Sequence, residues 1–143
     1  LGNGFSDHSS CWHYEGNFTE KRRIILEISM NDRLEEFETY RHKMNERIDA
    51  IDHLGIKRFF NLDTKAYDDG ALSAKTKELL GLVASMVLRC NDCIDYHVIQ
   101  CVDAGWTDEE IFDAFNVGLV VGGSIVIPHL RHAVETLDIY RGR

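Results

Sequence analysis

Apolar residues along the chain recur at intervals of three and four and nowhere alternate with polar ones over a strand's length, so the pattern predicts helices throughout. From Asn31 to about Ile51, Leu34, Phe37, Tyr40, Met44, Ile48 and Ile51 keep that interval, and the "DRLEE" segment places acids where a helix N-terminus favours them. This predicts an N-terminal amphipathic helix that ends near "DHLG", with Gly55 as its C-terminal cap. Residues 56–72 read as a linker with a short helical or extended piece, and "DDG" marks a turn. Ser73 can cap a second helix, "AKTKELLGLVASMVLR", which is apolar on most sides and so belongs inside.

A turn around Leu88 to Asn91 leads into a third helix, "DCIDYHVIQCVDAG", stopped by Gly105. Thr107 and Glu110 match the capping box of a fourth, "DEEIFDAFNVGLVVGG". Gly118, Gly122 and Gly123 each cost about 1 kcal/mol of helix propensity relative to alanine, which predicts a tight helix crossing there. Pro128 starts or bends a last helix, "PHLRHAVETLDIY". The expected fold is all-α, a compact bundle of about six helices.

Composition narrows this picture. The 143 residues include a single proline, with 44% hydrophobic and 28% charged residues, which suits one helical domain over 24–143. Residues 1–23 lack any period and read as a tail of uncertain order; its His8, Cys11 and His13 are a flexible segment or an adventitious metal site. A formal charge of -8 argues against nucleic acid and anionic membranes as partners. The longest nearly apolar run, "VGLVVGGSIVIP", is too short for the roughly 20 residues a bilayer span needs. No signal-peptide core is evident in "RRIILEIS", so a cytoplasmic location is expected. In a reducing compartment a close cysteine pair is more often catalytic or metal-binding than a permanent staple.

That pair is Cys90 and Cys93 in "RCNDCIDYH", with His97 four residues on. On a regular helix Cys93, His97 and Cys101 share one face, and Cys101 would lie about 16 Å along the axis from Cys90, too far to share a zinc ion with it. Cys101 reads as a small buried hydrophobe. His97 stands one turn from Cys93, within reach of its sulfur directly or through one water, so Cys93 is the better candidate for an activated thiolate. Arg89 would favour that thiolate, whereas Asp92 and Asp95 would oppose it. Cys90 could then condense with an oxidised Cys93. No strand precedes the pair, which disfavours a thioredoxin-like setting. An antiparallel pairing of the second and third helices would return Glu78 to the level of His97, where a carboxylate could orient the imidazole.

Glu78, Cys90, Cys93 and His97 together resemble the E-x11-C-x2-C-x3-H signature of alkylhydroperoxidase D, in the carboxymuconolactone decarboxylase-like superfamily, and the similarity extends from about Lys77 to Leu137. The motif-bearing core is placed at about 72–138. The resemblance implies an all-helical subunit that assembles as trimers or hexamers and acts as a cysteine-based peroxidase or disulfide reductase. Carried over residue by residue, it implies Cys93 as reactive thiol, Cys90 as resolving thiol, and Glu78 with His97 as proton relay. A hydroperoxide substrate and an external thiol reductant would be the partners, with no cofactor.

Two other readings stay open. A decarboxylase or lactone-processing enzyme would use Arg131, His129 and His132 against an anionic acid. A metal-binding domain would take Cys90, Cys93 and two of His97, His129 and His132 as ligands.

Overall fold

A computed structural model describes residues 20–143, with side chains from Asp32 onward. Its elements are α1 (Glu20–Asp49), α2 (Leu54–Ala66), α3 (Ala74–Leu88), α4 (Asn91–Asp103), α5 (Asp108–Gly122), a 3-10 turn (Ser124–Val126) and α6 (Ile127–Arg141). The fold is all-α, with no strand among the described residues. His8, Cys11 and His13, and nearly all of the tail over 1–23, lie outside them.

The core is built where the apolar sides of four helices meet. Leu82 and Met86 of α3, Ile94, Val98 and Cys101 of α4, Ile111 and Phe115 of α5, and Ala133 and Leu137 of α6 form one buried cluster with Val126. Each large aliphatic side chain withdrawn from water there contributes about 1.5–3 kcal/mol. α3 packs against α4 and α5, and α4 against α6. α3 and α4 therefore form the hairpin that the site requires.

Local signals explain the boundaries. The Ser73 hydroxyl accepts from the Thr76 N–H at α3's start, and Thr107 and Glu110 form the reciprocal capping box of α5. Pro128 sits in the first turn of α6, where its missing N–H costs nothing. A Cβ on Gly118 would only reach ordinary contact with the Met86 side chain of α3, at 3.4 Å, whereas one on Gly122 would collide with the Val126 side chain, so Gly122 makes room for the 3-10 turn rather than for the expected tight α3/α5 crossing. Gly123 has φ 76° with open space around it, and makes the turn out of α5.

Two further expectations are corrected. α1 begins at Glu20 rather than near Asn31, since "EKRRIILEISMN" holds neither glycine nor proline to interrupt a helix. Gly55 does not cap α1; it lies in the first turn of α2, whose N-cap His53 accepts from the Ile56 N–H at 3.2 Å. The segment read as a linker is thus mostly a 13-residue helix, none of whose residues is buried. A bend over 68–72 joins it to α3.

Candidate functional site

The site starts from one backbone turn. Arg89 takes up the left-handed conformation (φ 61°, ψ 38°), the N–H of Cys90 reaches back to the Ser85 carbonyl at 3.1 Å, and the chain reverses within two residues. Holding a non-glycine residue there costs roughly 1–2 kcal/mol. Cys90 becomes the N-cap of α4 and Cys93 falls in that helix's first turn. The positive end of the helix dipole favours a thiolate at that position. The two cysteines are joined as a disulfide with their Cα atoms 5.3 Å apart, and Cys93 is exposed.

The same reversal folds α3 back along α4. His97 Nδ1 lies 2.8 Å from Glu78 Oε2, with side chains only 10% and 13% exposed, so the two residues that the spacing brought to one level do meet. His97 Nε2 is 3.4 Å from the hydroxyl of Tyr67, at the C-terminal end of α2. The Tyr67 ring lies 5.5 Å from the imidazole and the Tyr96 ring meets it edge-on at 5.1 Å. Burial pushes both tyrosine hydroxyls above their ordinary range, and the nearby Glu78 carboxylate adds to this.

Gly81 makes room for that arrangement. A Cβ there would stand 2.5 Å from His97 Cε1 and 2.8 Å from both Nε2 and the Tyr67 hydroxyl, distances no side chain tolerates. Neither Gly81 nor Tyr67 is evident as a site residue from the sequence. A signal existed for the glycine: Gly81 follows Glu78 by three residues, hence on the same helix face.

A cavity of about 600 Å³ opens beside these groups, bounded by α1, α2 and α4. Cys93, His97, Tyr67 and Tyr96 form its chemical end, and Phe37, Tyr40, Met44 and Phe60 give it apolar walls. Asp92 and Asp63 line it as well, and Arg41, 4.2 Å above the Tyr96 ring, supplies a cation.

Asp95 is not part of this site. It is only 2% exposed and accepts from Arg33 Nη1 at 3.0 Å and from the Thr136 hydroxyl at 2.5 Å, with His132 Nε2 at 2.8 Å. Burial alone would raise its pKa, but the hydrogen bonds from His132 and Thr136 and the charges of His132 and Arg33 outweigh that and hold the carboxyl below its usual range. Its charge is therefore neutralised locally instead of opposing a thiolate. His129 Nδ1 is 2.7 Å from Asn91 Oδ1, and no group of three metal-ligating side chains occurs among the described residues. Cys101 is fully buried, and burial first, then Glu78, pushes its thiol up to about 12. Among the described residues no helix is long and apolar enough to cross a membrane.

Comparison with known proteins adds a family assignment. The model of the carboxymuconolactone decarboxylase family matches residues 56–136. Two crystal structures of a Thermotoga maritima protein of that family, for which a part in an antioxidative response has been suggested, superpose with TM-scores of 0.72 and 0.73 at 56% identity, covering 75% of this chain and 91% and 94% of theirs. The apo form of a Legionella pneumophila family member gives a TM-score of 0.53 at 26% identity, over 81% of this chain and 95% of that one. An uncharacterised cox-locus protein of Paracoccus denitrificans is 31% identical over 80 residues, 56% of this chain and 72% of the relative.

Proposed function

The chain belongs to the carboxymuconolactone decarboxylase family, and from that premise we propose that it is a dithiol oxidoreductase that reduces hydroperoxides through Cys93 and Cys90. One observation carries the reading: Cys93, disulfide-bonded to Cys90 at a helix N-terminus, shares a cavity wall with a histidine held 2.8 Å from a mostly buried carboxylate. The suggested antioxidative role of the Thermotoga maritima relative agrees with it.

In the reduced enzyme His97, oriented by Glu78, takes the proton of Cys93. The thiolate attacks the terminal oxygen of the hydroperoxide; an S–O bond forms as the O–O bond breaks, Cys93 becomes a sulfenic acid, and the proton held by His97 leaves with the alcohol. Cys90 then attacks the Cys93 sulfur, closing the disulfide while the sulfenic oxygen departs as water with the thiol proton of Cys90. An external thiol reductant returns two electrons and two protons. No cofactor takes part.

The alternative decarboxylase reading draws on His129 and His132, which are engaged with Asn91 and Asp95. It would be favoured by activity that survives thiol alkylation. We also propose that the subunit acts as a homo-oligomer, a trimer or hexamer. Leu88, Val117, Val120, Val121 and Ile125, all more than half exposed, cluster where α3 and α5 end and are the side chains such an assembly would cover.

The test of the redox reading is titration of free thiols in reduced, metal-free protein before and after one equivalent of hydroperoxide. The expected result is rapid loss of two thiols with a Cys90–Cys93 link by mass spectrometry. Thiols that stay inert would sink it.

A further inference from the structure

His97 has two ring nitrogens and a partner for each, and only one of those partners belongs to the relay described above. At Nδ1 the Glu78 carboxylate can only accept, so Nδ1 carries the proton of a neutral ring. Nε2 is then an acceptor, and the group facing it at 3.4 Å is a hydroxyl, which can donate. We infer that Tyr67 positions His97 and links it to Cys93: its O–H donates to Nε2, the one ring nitrogen with a lone pair, which fixes the ring and its tautomer, and in the cavity that Tyr67 and Cys93 both line the hydroxyl hands its proton to Nε2 as it takes up the one leaving Cys93.

Three further observations bear on this. Gly81 leaves space that the imidazole edge and the Tyr67 hydroxyl fill together, so backbone, ring and hydroxyl are fitted to one another. α2 buries none of its residues, and Tyr67 follows directly as its C-cap, so this contact is where the α2 wall of the cavity is fastened to the relay. Burial, with the charges of Glu78 and Asp63, keeps the Tyr67 hydroxyl protonated and so a donor. The remaining charged and titratable groups around the ring are Tyr96 and Asp92 of its own helix and Arg41 of α1.

The sign of the effect follows. Through that hydroxyl His97 can draw the proton of Cys93, so the contact extends thiol activation to lower pH. Removing the hydroxyl while keeping the aromatic ring should move the rising limb of the pH–rate profile upward. One neutral hydrogen bond corresponds to a displacement of roughly half to one pH unit.

The inference rests on Cys93 being the thiol that His97 activates, but its test does not need a hydroperoxide. The rate at which iodoacetamide alkylates Cys93 in the reduced full chain would be followed across pH for the native protein and Tyr67→Phe, beside hydroperoxide turnover. An upward displacement in Tyr67→Phe supports the role of Tyr67 even if no hydroperoxide is turned over, in which case the peroxidase reading alone falls. Superimposable profiles overturn it even if turnover is brisk. Should Tyr67→Phe fail to fold, the ¹⁵N spectrum of His97 in the native reduced protein decides: the proton on Nδ1 with a hydrogen-bonded Nε2 supports the inference, and the proton on Nε2 overturns it.

Discussion

α4 carries two carboxylate–imidazole pairs, one on each side. Glu78 meets His97 at 2.8 Å, and Asp95 meets His132 at the same 2.8 Å. Asp95 and His97 are two residues apart, so about 200° of helix rotation separates them and the pairs face different neighbours. Around Asp95 everything is closed: Arg33 of α1 and Thr136 of α6 complete its hydrogen bonds, and the cluster ties three helices together. Around His97 one side opens to a cavity holding a cysteine. Identical pairing thus yields a clamp in one place and, in the function proposed above, a proton-handling group in the other. What separates them is whether an arginine has already neutralised the charge and whether a reactant can come near.

The sharpest way to break this comparison is to neutralise each carboxylate in turn. Glu78→Gln should lower Cys93 alkylation and hydroperoxide turnover by roughly a hundredfold or more, the scale of a lost acid–base group, with little change in melting temperature. Asp95→Asn should do the reverse, keeping thiol reactivity while losing roughly 1–3 kcal/mol in a denaturant melt because buried donors lose their acceptor charge. If both variants lost activity equally and stability equally, the distinction between clamp and relay would be gone. Gly81→Ala should fall between them: crowding of His97 and Tyr67 should cost about 1–3 kcal/mol, and the ring must also move off Glu78. Alkylation kinetics and a melt on the same sample would read both effects.

The smallest expected effect is in acid. Asp95 titrates below its ordinary 3.8 in the fold. Its contribution is therefore present above the unfolded value and is lost as pH falls through the lower, folded one. Stability measured at stepwise lower pH should drop less steeply in Asp95→Asn than in the native protein, and parallel curves would show that the cluster contributes nothing by this route.

Legibility in the sequence followed the range of each interaction. Ser73, Thr107 with Glu110, and Pro128 act within one turn, and their helices start where those residues place them. Glu78 and His97 lie 19 residues apart, yet one hairpin joins them, so a turn near Cys90 was enough to align them. Arg33 and Asp95 are 62 apart, and no spacing rule connects them; Asp95 therefore read as a charge opposed to the thiolate. α2, expected as no more than a short helical or extended piece in a linker, is hard to read for a different reason. Its cap is a histidine, its first turn holds Gly55, and none of its side chains is buried, so the signals that mark a helix were replaced by one that marks a stop. Tyr67 was lost along with it.

Gly81 reverses the usual meaning of a functional residue. Other members of the site act by what their side chains supply, whereas this position acts by volume withheld, and the space it leaves empty is occupied by the histidine and the tyrosine. Removing side chains one at a time, the ordinary way of finding what matters, would pass over it, because there is nothing at Gly81 to remove. Its importance becomes visible only by addition.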